Sequence, residues 1–126
     1  KRYEPNSVSE IYCAHALDHF SRWGYPHVLA RWFELLVPDG RLRISTPDFW
    51  CISDKYQETS NVRELIGALY AAQDYESNCR KFIFDFGMLV DDLSIIGFVR
   101  ISLFEPFAED CSKAWFSLNV QAFKPE

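Results

Sequence analysis

No apolar run in these 126 residues comes near the ~20 needed to cross a bilayer as a helix, which argues against a membrane protein. Basic charge is also scarce. Against 18 Asp and Glu stand only 13 Lys and Arg, for a net charge of −5. A nucleic-acid backbone is therefore not an expected partner, because that affinity comes from clustered cations. The small basic groupings, Lys1-Arg2, Arg41 with Arg43, and Arg80-Lys81, are interleaved with acids and read as solvated surface. Glycine is thin as well: the five glycines, at 24, 40, 67, 87 and 97, stand alone, and no Gly-x-Gly occurs. The four cysteines, Cys13, Cys51, Cys79 and Cys111, form no Cys-x-x-Cys pair. That spacing is poor for zinc or a redox dithiol and fits free thiols in a reducing compartment. With no signal-like opening, the expected location is cytoplasmic, although a first residue of Lys1 leaves room for residues upstream.

What the chain has in abundance is core material, with 48% hydrophobic and 17% aromatic residues, enough for one domain over 1–126. Val8 to Ala14 is apolar on both faces and predicts a buried strand of a parallel sheet. From Pro26 to Leu36 the apolar residues follow helical spacing, with Pro26 suited to a first turn and "VPDG" (37–40) expected to stop the helix in a turn. Arg41 to Thr46 then predicts a second strand, ended by Pro47, which completes a strand–helix–strand unit. Asp48 is a candidate cap for a helix beginning "DFWCISDKYQE", and Asn61 for one reading "NVRELIGALYAAQ", with Glu64 in capping-box position. Asp74 to Lys81 is polar and reads as a loop. Phe86, Leu89, Leu93 and Ile96 make a helical stripe that ends at Gly97. Val99–Phe104 and Trp115–Phe123 predict two further strands, so the fold class is α/β.

The stretch "CAHALDHF", Cys13 to Phe20, carries the densest chemistry. On a helix His15 and His19 would share a face, with Asp18 as a third ligand, and that would suit a metal-dependent hydrolase. No further ligand has metal spacing, so no metal site is assigned. The alternative is a strand that ends near His15, where open α/β sheets place their ligands.

These segments, in order, resemble the second half of a class I S-adenosylmethionine-dependent methyltransferase. The resemblance rests on "IYCAHALDHF", "PHVLARWFELLVPDGRLRISTPDF", "ELIGALYAAQDY", "FDFGMLVDDLSIIGF" and "SLNVQAFKP" and covers nearly the whole chain. Asp18 stands where the family usually has glutamate, and Asp39 where it often has glycine. The resemblance implies a partial Rossmann-like sheet, the last four of seven strands with the final pair antiparallel, flanked by helices. It also implies S-adenosylmethionine as cofactor, bound along Ala14, His15 and His19. Absent from the match are the first strand, its glycine-rich loop and the acid that holds the ribose hydroxyls. The chain alone is therefore expected to bind the cofactor weakly or not at all.

"TPDF" follows the next strand, so Asp48 and Phe49 are candidate contacts to a methyl acceptor, with helix capping an equal role for Asp48. His19 can equally bond local backbone, and Leu17 is expected to be core. Trp23, Tyr25, Phe49 and Trp50 could line one apolar pocket or simply pack. Methyl transfer needs mainly in-line positioning, so the sequence nominates no catalytic residue. The expected activity is methyl transfer to a small-molecule or glycan-like acceptor once the domain is completed, with a non-catalytic scaffolding module as the alternative. Val8–Ala14 is then expected to be an exposed strand edge, covered by a second copy or by a completing chain.

Overall fold

The computed structural model of the protein describes residues 3–126, which leaves the Lys1-Arg2 grouping outside the described residues. Four strands, β1 (Val8–Ala14), β2 (Leu36–Pro47), β3 (Val99–Leu103) and β4 (Ser117–Phe123), form one sheet in the order β1-β2-β4-β3. β1 and β2 are parallel, joined through helix α1 (Tyr25–Leu35); β4 runs antiparallel between β2 and β3. The predicted α/β class and the antiparallel final pair are both present.

The period-2 pattern of the strands sorts the sheet into two unlike faces. Ile11 and Cys13 of β1, Leu42 and Ile44 of β2, and Val120 and Ala122 of β4 point to one side. There they meet Leu29 of α1 and Leu89 and Leu93 of helix α4 (Phe86–Ile96) in the main core. Leu17 is fully buried in the same cluster, as expected. At the end of α4, Gly97 has φ +126°, and a Cβ there would lie 3.0 Å from the Phe33 ring, so this helix stop requires glycine. The opposite face carries Glu10, Tyr12, Arg41, Arg43, Ser45, Asn119 and Gln121.

Three local expectations need correction. β1 is an edge strand with no fully buried residue, so its apolar character on both faces does not make it a buried strand. "VPDG" does not separate helix from strand. β2 begins at Leu36 directly after α1, and 37–40 bulge between the pairs Val8–Leu36 and Glu10–Arg41. A Cβ on Gly40 would lie 2.8 Å from the Val37 carbonyl oxygen, which is why glycine closes this bulge. The helix expected from Asn61 divides into a 3₁₀ turn at Val62–Leu65 and a short α3 (Ile66–Tyr70). Asn61 still caps, accepting from the Arg63 amide at 3.0 Å. Among the described residues no helix is long and apolar enough to cross a membrane.

Candidate functional site

β1 ends at Ala14, and the chain turns at once. His15 has φ +52°, a left-handed conformation that histidine tolerates better than most residues, and its amide bonds to the Ser45 carbonyl at 2.7 Å. His15 is thus the hinge between β1 and a 3₁₀ turn at Leu17–His19, not part of a helix carrying both histidines. The shared-face argument for a metal fails on that geometry, and the described residues contain no cluster of three ligands able to hold an ion.

His15 and Asp18 instead belong to a buried network that the sequence did not reveal. Arg80 donates from Nε to Asp18 Oδ2 at 2.7 Å, from Nη1 to the Gly67 carbonyl at 2.7 Å, and from Nη2 toward His15 Nδ1 at 3.3 Å. Guanidinium groups only donate, so His15 Nδ1 must be the unprotonated nitrogen. Nε2 then carries the proton and donates to Ser117 Oγ at 2.7 Å, whose own hydroxyl donates to the Cys111 carbonyl at 2.6 Å. Every donor in this chain points one way, from Arg80 to Cys111. Burial, and next the Arg80 charge, pull the His15 pKa down to about 4, in line with the neutral ring that the geometry demands.

Asp18 is fully buried and Arg80 nearly so, with side-chain exposures of 0% and 8%. Burial raises the Asp18 pKa while Arg80 opposes the rise. Asp18 Oδ1 has no hydrogen-bond partner, and the Asp18 carbonyl takes the amides of Lys81 (2.9 Å) and Phe82 (3.1 Å). Asp74–Lys81, read from sequence as a polar loop, therefore sends one of its two basic residues into the sheet's end. No sequence signal marks Arg80 apart from its neighbour Lys81; the pairing spans 62 positions.

The other candidates separate. His19 is partly exposed, 3.7 Å from Asp18 and 3.5 Å from the Ser77 carbonyl, and borders a cleft of about 690 Å³ with Phe20, Tyr75 and Lys81. Asp48 caps helix α2 (Phe49–Thr59) through the Trp50 amide at 3.0 Å and lines a cleft of about 470 Å³ with Trp50, Asp85 and Phe86. Phe49 faces a different, apolar cleft of about 260 Å³ with Ile52, Tyr56 and Leu65. Trp23 and Trp50 are largely exposed, whereas Tyr25 is buried against Phe82 and Phe84, so the four aromatics do not line one pocket. All four cysteines are free, and burial pushes the Cys13 thiol up to about 11, which keeps it protonated.

Both ring nitrogens of His15 are engaged within the chain, and no Gly-x-Gly backbone approaches the ends of β1 and β2. The residues present do not by themselves fit S-adenosylmethionine.

No family model matches the sequence, and no curated protein matches it. Solved structures do. A CurJ carbon methyltransferase superposes at TM-score 0.62 with 15% identity over 98% of this chain and 31% of its own. A SAM-dependent methyltransferase from Archaeoglobus fulgidus gives 0.61 and 12%, over 97% and 62%. A Burkholderia thailandensis 1,6-didemethyltoxoflavin-N1-methyltransferase, with bound 1,6-didemethyltoxoflavin and S-adenosylhomocysteine, gives 0.60 and 17%, over 100% and 48%. The chain thus spans between about a third and three-fifths of the length of these structures. At such low identity the likeness concerns the fold, and the chain has the fold of the S-adenosylmethionine-dependent methyltransferases.

Proposed function

We propose that this chain carries one half of a methyltransferase donor site, and that transfer of a methyl group from S-adenosylmethionine requires a completing segment or chain at the β1 edge. The observation that carries the reading is the position of β1. A strand that ends at the ligand-binding side of the sheet lies at its open edge, half-exposed on both faces. Exposed strand edges recruit further strands, and the carboxyl ends of parallel strands bind ligands. When the domain is complete, Ala14, His15 and His19 form the wall beside the donor. Bound there, S-adenosylmethionine would supply an activated methyl group; this chain's own part is to position and to exclude water.

Asp48 and Phe49 border separate clefts, and the acceptor reading gives the Asp48 cleft precedence because Trp50 and Phe86 supply apolar walls beside the carboxylate. The acceptor class is a small molecule or a glycan. A methyl-transfer assay with labelled S-adenosylmethionine tests the reading: the 126-residue chain alone should show no turnover with any acceptor. Turnover by the chain alone would overturn the half-site.

A non-catalytic scaffolding module is the second reading. The internal satisfaction of His15 favours it, since a side chain already bonded at both nitrogens needs no ligand.

A further inference from the structure

The connection between β3 and β4 crosses the polar face of the sheet from one edge to the other. β3 is the far edge strand, yet Asp110 Oδ2 accepts a hydrogen bond from the Tyr12 hydroxyl on β1 at 2.6 Å. Between these ends, Phe107 packs 4.9 Å from the Tyr12 ring and lies under the Arg43 guanidinium at 4.2 Å, and Phe104 lies 5.7 Å from Arg43. The return end is fastened to the donor wall. Ser117 Oγ donates to the Cys111 carbonyl, Asn119 Nδ2 donates to the Ser112 carbonyl at 3.0 Å, and the Phe116 ring sits 5.6 Å from His15.

We propose that residues 104–116 form a hinged strap that closes the polar sheet face over the ends of β1 and β2, with the Tyr12–Asp110 bond as its release point. The two ends are held by backbone. Phe104 donates to the Asn119 carbonyl at 3.1 Å, and the Phe116 carbonyl accepts from Asp48 at 2.7 Å. From 105 to 110 the recorded backbone bonds are internal to the strap, such as Asp110 to Ala108 at 3.0 Å. This middle is held to the sheet by side chains alone: one hydrogen bond at an exposed carboxylate and one half-exposed ring. Segments with few buried contacts and no backbone ladder open first.

What lies beneath the strap weakens the closed state. Arg43 Nε, Ser45 Oγ and Asn119 Oδ1 are buried without partners, and all three belong to this face, Ser45 and Asn119 directly opposite each other in register. Water reaches them when the strap lifts, so closing gains aromatic packing and loses polar solvation. That the strap guards a donor wall rests on the proposed function; that it opens does not.

Hydrogen exchange by mass spectrometry on the 126-residue chain without any donor tests the strap separately from methyl transfer. Tyr12→Phe keeps the ring and removes the bond, and the strap's bonded amides, those of Asp110, Ser112, Lys113 and Ala114, should exchange about fivefold faster, with β2 and β4 unchanged. Phe107→Ala, at a half-exposed position that leaves the main core intact, should do the same. Unaltered exchange at the amides of Asp110, Ser112, Lys113 and Ala114 in both variants, or acceleration spread evenly through β2, β4 and α4, would overturn the proposal.

Discussion

The two faces of the sheet are covered by different physics, and the difference explains which parts of the molecule are fixed. On one face, α1 and α4 seal Leu42, Ile44, Val120 and Ala122 under leucines that are fully buried. On the other, the cover is a strap, two ion pairs from Glu10 to Arg41 (2.8 Å) and Arg43 (3.4 Å), and aromatic rings half in water. Apolar burial accumulates with area and needs no particular protonation state, whereas the polar face depends on individual bonds. At the carboxyl end of the strands the Arg80–Asp18–His15 network joins the two.

The largest effect should come from breaking that junction. Arg80→Gln leaves the fully buried Asp18 without its cation and should destabilise by about 3–5 kcal/mol in chemical denaturation. Replacing both residues together, Arg80→Met with Asp18→Leu, should recover much of the loss, because what costs is the unpaired charge. Leu93→Ala on the helical face should cost about 2–5 kcal/mol, read the same way. Loss from either single change no greater than a surface substitution would break the contrast between junction, core and polar face.

His15 sets a pH dependence of definite sign. Its folded pKa, about 4, lies below the 6.5 of an ordinary histidine, so between these values the unfolded chain binds the proton and the folded chain does not. Its contribution is complete above about 6.5 and declines as pH falls toward 4. Asp18, with its pKa raised, acts in the opposite sense over the acidic range. The melting temperature of His15→Gln should therefore fall less between pH 7 and 4.5 than that of the wild-type chain; parallel curves would contradict the neutral His15 ring. A smaller effect is expected at the polar face, where Glu10→Gln removes partly exposed ion pairs and should cost less than about 1 kcal/mol. The β1 edge sharpens the comparison from outside. Light scattering should show a species of twice the 14.8 kDa chain mass at high concentration, and a folded, strictly monomeric protein at all concentrations would remove a second copy as the cover of that edge.

The sequence revealed most where local rules and burial agree. Asp48 and Asn61 cap, Pro26 opens α1, and Gly97 closes α4, because each depends on neighbours a few residues away. β1 reads as buried because its apolar residues fall on both faces, while in the structure it is an edge strand with no buried residue. The chemistry of "CAHALDHF" is legible in its residue types, yet the sequence could not show what His15 and Asp18 bond. His15 and Asp18 find partners at 80 and 117, across loops with no periodicity to read. Tyr12 and Asp110 are hidden for the same reason, 98 positions apart.

The central claim, that this chain presents one donor wall and no more, is tested most directly by calorimetric titration of the 126-residue chain with S-adenosylmethionine. The account predicts no saturable binding at micromolar ligand. A micromolar dissociation constant, lost on changing His15, would contradict it.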